Sequence, residues 1–503
     1  MPSDPPTPPA PRDPALALEI AAGMLARRGD WPKLVVRVMA ALPSLAPETV
    51  RPRTWLHLVT AALETGSEPA LQAAIAAGLS PALPPETRIE LARRLAIGDR
   101  AAAGLAVLLA DPALMQTPAL AGKCLMALKV IGGPRQSPAL QACLPVLRRV
   151  LLGEQKPATP PPEAPFAFPA PALPRHPATP LGILNPEAVP AADLADIRGQ
   201  DAAFAERMGR ARRPRVRLYE DVFVNRRGQI WRADGTMLDG GGRLLDPACR
   251  AAEAKARFVP EAVNALEASG FFHWFAEWMP SLFWTLQCGA RGLPYLLGDR
   301  APDYQAALLG LLRGAAPETI AVGDAVRVGR LYAASRETAG LVHWGAYQAG
   351  FERLAAQAAP GGHKLLYLSR RDAPKRAMGN EAALEARLAR AGFHCVPFSG
   401  LSLPQQIGLV QDAALVVAPH GAGLAHLLGQ RRGIAVLELM PVLSSAIPLR
   451  HCFARISALR GHRHAQYLVR PNAATQAWSV DVGAVAEAAE RMAAEALRRQ
   501  QAA

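Results

Sequence analysis

One stretch constrains this chain more than any other: Asp412-Ala-Ala-Leu-Val-Val-Ala-Pro-His-Gly-Ala-Gly-Leu-Ala-His-Leu-Leu, followed shortly by Ile434-Ala-Val-Leu-Glu-Leu. Leu415 to Ala418 is a short apolar run closed by Pro419, the pattern of a buried parallel strand. His420-Gly421-Ala422-Gly423 supplies a turn of small residues, and Leu424 to Leu428 starts a helix limited by Gly429 and Gly433. Ile434 to Leu439 repeats the strand pattern, so the unit reads strand, glycine turn, helix, strand. Such a unit aims free backbone N–H groups and the positive helix end past the first strand, where a phosphate fits. Glu438, 17 residues after Gly421, is placed to accept hydrogen bonds from ribose hydroxyls. Taken alone, the glycines serve equally well to let a helix pack closely on a sheet.

A second loop converges on the same edge. Lys364 to Ser369 reads as a strand running into Arg370-Arg371-Asp372-Ala-Pro-Lys375-Arg376-Ala-Met-Gly-Asn380-Glu381. Loops at the carboxyl ends of parallel strands are where α/β sheets bind ligands. Arg370, Arg371 and Arg376 suit a diphosphate, because guanidinium forks match phosphate oxygens better than ammonium groups do. Asn380 precedes a helix running to Arg390, which makes it an N-cap first and a ligand contact second. Gln406 either reaches the ligand or caps the helix at Pro404 to Gln411.

Reactive groups gather at Gly270-Phe-Phe-His273-Trp274-Phe-Ala-Glu277-Trp-Met-Pro280. His273 and Glu277 are four apart and share one helix face. An imidazole is suited to taking a proton near neutral pH, and the carboxylate either orients it or is itself the base. A buried aromatic helix with a satisfied His–Glu bond has the same sequence appearance.

In order and spacing these residues resemble glycosyltransferase family 61, a group that includes many predicted capsular-polysaccharide transferases. The likeness is carried by Ser369-Arg370-Arg371, Arg376, Asn380-Glu381, Leu401-Ser402 with Gln406, His420-Gly421-Ala422-Gly423-Leu424 and Glu438-Leu439. Phe272-His273-Trp274 with Glu277 and Pro280 is a second, independent match, and the whole spans roughly residues 215 to 445. The resemblance implies a GT-B-like pair of α/β half-domains with a cleft between them. It implies inverting transfer of a sugar from a nucleotide-diphosphate donor to a glycan or lipid-linked glycan acceptor, in capsular or other surface-polysaccharide synthesis. His273 and Glu277 would be catalytic. Arg370, Arg371, Arg376, Asn380, Gln406, His420, Gly421, Ala422, Gly423 and Glu438 would bind the donor. Displacement at the sugar C1 needs a base and cationic or N–H groups for the leaving diphosphate. With the arginines and the helix end present, and no Asp-x-Asp pair, metal-independent action without a cofactor is expected. His426 departs from the family, where asparagine is common at this point of the helix.

The remainder of the 503 residues divides by composition. Residues 1–13 read as a disordered N-terminus and 14–152 as alanine- and leucine-rich helices. Stripes fall at Leu16, Ile20, Met24 and Leu25, and at Leu34, Val35, Val38 and Leu42. Helix-turn-helix junctions at Gly29-Asp30, Gly66-Ser67 and Gly98-Asp99 recur at 37 and 32 residues. That is near the tetratricopeptide period of about 34, so the region resembles a degenerate α-solenoid: a docking surface for protein or polymer, or a helical cap on the catalytic part. Residues 153–199 read as a proline-rich linker, 200–355 as an acceptor-side α/β half, and 356–503 as a nucleotide-sugar half with a terminal helix. Arg215 to Val224 with Arg226-Arg227-Gly228 predicts a hairpin opening the first half.

Lysine and arginine number 56 against 42 acids, a formal charge of +14, which favours anionic partners such as nucleotide diphosphates. The excess is dispersed as arginine, which argues against nucleic acid. Six cysteines show neither a disulfide framework nor a zinc-type spacing. No signal peptide and no spanning apolar run are present, so a cytoplasmic protein is expected, with peripheral contact at the inner face of the membrane allowed. Two other readings stay open: a protein O-glycosyltransferase whose helical repeats present the polypeptide, and a catalytically inactive interaction scaffold.

Overall fold

A computed structural model of the chain describes residues 13–132, 138–152, 161–164, 181–208, 215–240, 245–266, 270–287, 292–334, 344–372, 378–430, 433–442, 450–471 and 477–502. The N-terminal region is a set of helices with its own core. Helix pairs Pro14–Arg28 with Trp31–Ala41, Pro52–Thr65 with Glu68–Leu79, and Pro85–Ile97 with Ala101–Leu109 turn back at the three glycine junctions read from the sequence. Gly29 and Gly66 take left-handed backbone there, each with φ 69°, which ends one helix and lets the next begin two residues on. In the third junction Asp99 carries the positive φ instead, and a Cβ on Gly98 would press on the Leu63 side chain. The first helix buries a face other than the one the large residues marked. Ala15, Leu18 and Ala22 point inward, while Leu16, Ile20 and Met24 are 41%, 54% and 43% exposed. Small residues allow close helix approach, and the larger stripe is left outside.

The rest of the chain is α/β. Its described strands are β1 (Gly182–Ile183), β2 (Val216–Val224), β3 (Ile230–Trp231), β4 (Met237–Asp239), β5 (Arg257–Asn264), β6 (Tyr295–Gly298), β7 (Thr319–Val322), β8 (Val326–Ala334), β9 (Leu365–Ser369), β10 (His394–Pro397), β11 (Leu415–Pro419), β12 (Ala435–Pro441) and β13 (Arg463–Val469). A seven-stranded mixed sheet has the order β4-β3-β2-β8-β5-β6-β7, antiparallel from β4 to β8 and parallel beyond. A six-stranded sheet, β1-β13-β12-β11-β9-β10, is parallel throughout. The β2–β3 hairpin turns at Gly228 with φ 72°, as its sequence required. One core joins the two sheets: Trp274, Phe275, Phe283 and Phe351 lie with Leu366, Val416, Leu424 and Leu427 in a single apolar cluster. Among the described residues no helix is long and apolar enough to cross a membrane.

Three local features differ from the sequence reading. The helix read around His273 and Glu277 is broken into short α, π and 3-10 pieces: Phe271–His273, Trp274–Trp278, Met279–Leu282 and Trp284–Gln287. Pro280, which lacks an N–H, sits where the π segment gives way. The helix after the glycine turn is 3-10, Ala422–Gly429. Strand β13 contains the buried His464 and Gln466, so its sequence carries no clean strand signal.

The segment read as a linker is in part built into the α/β region. Leu218 N–H donates to Pro162 O at 3.1 Å and Ala164 N–H to Val216 O at 2.7 Å, beside β2. β1 pairs with β13, and the helix Ala191–Met208 begins inside the same stretch. Asn185, buried, donates to Leu468 O at 2.7 Å and accepts from Leu468 N–H at 2.8 Å, replacing a ladder rung that the two-residue strand cannot supply. Asn185→Ala leaves both backbone groups of Leu468 without that partner, which costs about 1–3 kcal/mol. Urea unfolding should show the midpoint falling accordingly with an unchanged slope; an unmoved midpoint would mean that β1 contributes nothing to the sheet.

Candidate active site

The carboxyl ends of β9 and β11 bring the arginine loop and the glycine turn together. His420 follows β11 directly, its N–H bonded to Leu439 O at 2.9 Å. Its Nδ1 lies 2.6 Å from Glu438 Oε1. The other carboxylate oxygen, Oε2, accepts from Gln466 Nε2 at 2.6 Å and stands 3.0 Å from His464 Nε2. Glu438 is 0% exposed. Burial alone would push its carboxyl up, but the bonds from His420 and His464 outweigh burial and hold it at about 2. An ionised carboxylate only accepts, so the His420 nitrogen facing it carries the hydrogen and Nε2 is the nitrogen turned away. With both oxygens occupied and no exposed surface, Glu438 holds His420 rather than meeting a ribose, which corrects the role read from its position.

Arg370 lies across the turn and donates through Nη1 to His420 O. A Cβ on Gly421 would sit 2.7 Å from Arg370 Cδ and Nη1, so glycine is needed for this close approach. Gly423 faces Phe398, where a Cβ would be 3.3 Å from the ring, and Ala422 opens the 3-10 turn. Glu381 fixes the start of the arginine loop, accepting from Arg370 N–H at 2.7 Å, Tyr367 Oη at 3.0 Å and Ser369 Oγ at 3.3 Å. Arg371 reaches solvent while paired to Glu385 at 2.8 Å. Arg376 lies outside the described residues.

Two expected donor contacts stand behind the edge instead. Asn380 occupies the N-cap position without a side-chain cap bond; its amide clamps the backbone of Val480, donating to O at 2.7 Å and accepting from N–H at 3.1 Å. Gln406 donates to Leu401 O at 2.9 Å and Phe398 O at 3.3 Å, which ties down that loop, while Ser402 and Gln405 form the capping box. Both amides are engaged with backbone, and neither is oriented by the ligand edge.

His273 and Glu277 meet as their spacing required, with Nδ1 2.6 Å from Oε2. The π segment between them keeps both on one side. Glu277 is nearly buried and its second oxygen accepts from Arg455 Nη2, so neither oxygen is idle. The His273 side chain is 52% exposed, and Nε2 is the nitrogen that Glu277 does not engage. The hydrogen bond to Glu277, and then the charge of that carboxylate, raise the His273 pKa against burial and Arg455. Arg455 carries no signal of its own; it is one arginine in a helix, His451–Arg460, whose position only the fold decides. Its guanidinium stands 5.5 Å from the centre of the Phe272 ring. Phe453 links the two clusters, with its ring centre 5.0 Å from that of Phe272 and 5.1 Å from that of His420.

His426 belongs to the core. Its Nδ1 is 3.0 Å from Gly423 O, and the ring stacks on Phe271 and Phe275 at 5.0 and 5.3 Å with Phe398 edge-on at 4.6 Å. Nε2 has no bonding partner among the described residues. Burial pushes its pKa down to about 4. An unfolded histidine titrates near 6.5, so between about 4 and about 6.5 the unfolded chain binds more protons. The stability tied to His426 is therefore complete above about pH 6.5 and is lost as pH falls toward 4, by an amount on the order of 3 kcal/mol. Glu438 acts in the same direction lower down, its contribution present above about 4.5 and lost toward 2. Urea titrations across pH should show His426→Phe flattening the upper interval alone. A slope between pH 6.5 and 4.5 that persists in that variant would assign it to another group.

Residues 271–437 match the family model of glycosyltransferase 61. No curated protein matches the chain. The matched span contains the His273–Glu277 pair, the arginine loop and the glycine turn, and it ends one residue before Glu438. Residues 271–437 thus form a glycosyltransferase 61 domain, and through it the chain is a glycosyltransferase.

Proposed function

We propose that this glycosyltransferase moves a sugar, with inversion, from a nucleotide-diphosphate donor to a glycan or lipid-linked glycan acceptor. Its setting would be capsular or other surface-polysaccharide synthesis on the cytoplasmic side of a membrane, and its two α/β sheets would act as GT-B-like halves. The observation that carries this reading is the proximity of two unlike groups around Phe272 and Phe453. One is an exposed imidazole backed by a carboxylate. The other is a glycine turn crossed by an arginine.

In this reading the donor diphosphate lies against the glycine turn, met by Arg370, Arg371 and backbone N–H groups of the 3-10 segment. His273 Nε2 takes the proton from the acceptor hydroxyl. The acceptor oxygen forms its bond to C1 from the face opposite the diphosphate, while the C1–O bond to phosphate breaks and its electron pair leaves with the nucleotide. Glu277 orients the imidazole and stabilises the imidazolium, and Arg455 fixes Glu277. Arginine and N–H groups offset the developing charge without a cofactor. The helix pairs of the N-terminal region would dock the acceptor or a protein partner.

A screen of nucleotide sugars for slow hydrolysis or transfer identifies the donor. With it, His273→Gln should lower kcat by about 10²–10⁴-fold with donor affinity kept, the usual worth of a general base. The base must be unprotonated, so activity should fall as pH drops through the raised His273 pKa. Glu277→Gln removes the main cause of that rise and should move the acidic limb of kcat/KM to lower pH. Near-full turnover in both variants would place the base elsewhere.

A further inference from the structure

The family match ends at residue 437, but the groups that hold the glycine-turn histidine lie on both sides of the matched span. Arg450 is 0% exposed, and its guanidinium is shared. Nε donates to Gln466 Oε1 at 2.8 Å, while Nη1 and Nη2 donate to Asp201 Oδ1 and Oδ2 at 3.0 and 3.3 Å. Asp201 belongs to the helix Ala191–Met208, in the stretch ahead of the first sheet, and also stands 2.8 Å from His451 Nε2. The His451 ring stacks on Phe204 of the same helix, centres 4.5 Å apart and planes within 1°. Gln466 turns its amide nitrogen to Glu438 Oε2 at 2.6 Å and to Arg450 O at 3.0 Å. Asp201, Arg450, Gln466, Glu438 and His420 are thus one unbroken run of hydrogen bonds ending at the glycine turn.

A buried guanidinium without a counter-ion is strongly unfavourable, and breaking a buried pair by removing one partner costs several kcal/mol. Two carboxylates lie on this run. Asp201 takes both Nη groups directly, and Glu438 stands one glutamine further along. If Asp201 carried no charge, Glu438 would be the nearest anion along the run, and a guanidinium moving toward it would displace Gln466 from Oε2 and turn the carboxylate away from His420. We propose that Asp201 and Arg450 are positioning residues for His420: their ion pair keeps the guanidinium away from Glu438. The carboxylate is thereby left to hold His420 with Nδ1–H inward and Nε2 toward the donor. This rests on the reading that His420 stands at the donor edge, but its test needs no donor.

The test is the His420 Nδ1–H proton in full-length protein labelled with ¹⁵N-histidine. The signal is assigned by its absence in His420→Gln. In the unaltered protein this proton should resonate far downfield and exchange slowly, as a short bond to a carboxylate requires. Asp201→Asn, nearly the same shape without the charge, should shift the signal upfield or broaden it into exchange, and Asp201→Glu should keep it. The double change Asp201→Asn with Arg450→Met removes both charges and should restore the signal. A folded Asp201→Asn protein with an unmoved His420 resonance overturns the proposal. If the single variant does not fold, the double variant decides. A folded double variant with the resonance present supports the charge argument, and one that lacks the signal or fails to fold overturns it. Failure here leaves the glycosyl-transfer reading untouched, because none of these measurements reports on turnover.

Discussion

The α/β region depends on one buried carboxylate. Glu438 has no exposed surface and remains ionised, and a charge in that position is tolerable only when donors surround it. Supplying them dictates much of the neighbourhood. Strand β13 lies inside the parallel sheet beside β12, yet it carries His464 and Gln466 where an interior strand ordinarily carries valine or isoleucine. Ser457 comes within 2.8 Å of the other nitrogen of His464, which leaves that ring free to point an N–H at Glu438. Arg450 braces Gln466 in turn. The outcome of this polar interior is a single oriented histidine at the start of the glycine turn.

The same device is used twice. Glu277 also spends one oxygen on a histidine and the other on a cation, and His273 faces outward as a result. The two imidazoles differ in exposure, since His273 is half in solvent and His420 is nearly buried beneath Arg370. That difference fits a group that meets an incoming hydroxyl and another that shapes the bed of an anion. Between them the aromatic contacts of Phe272 and Phe453 set the spacing.

The matched family segment does not assemble this site by itself. Arg455, His464, Gln466 and Arg450 follow it, and Asp201 with Asn185 precedes it, on a segment that adds β1 to the sheet edge. Residues 181–208 are better understood as an outer brace of the parallel sheet than as a spacer.

Local chemistry decided what was legible in the sequence. Leu415 to Pro419, the β2–β3 hairpin with Gly228, the glycine junctions of the helix pairs, and the His273–Glu277 spacing all depend on residues close together in the chain, where backbone preference and side-chain period act directly. Proximity of the arginine loop to the glycine turn followed from the parallel-sheet rule. What the sequence could not decide was which partners arrive from afar. Glu438 looked like a ribose acceptor until His464 and Gln466, 26 and 28 residues away, took one of its oxygens. Asn380 looked like a cap until Val480, 100 residues on, took its amide. The first helix buries Ala15, Leu18 and Ala22 and leaves Leu16, Ile20 and Met24 outside, a choice made by its neighbours in space and not by its own apolar period. Polar strands such as β13 hid from a hydrophobic pattern for the same reason: their burial is justified only by hydrogen bonds that exist once the chain has folded.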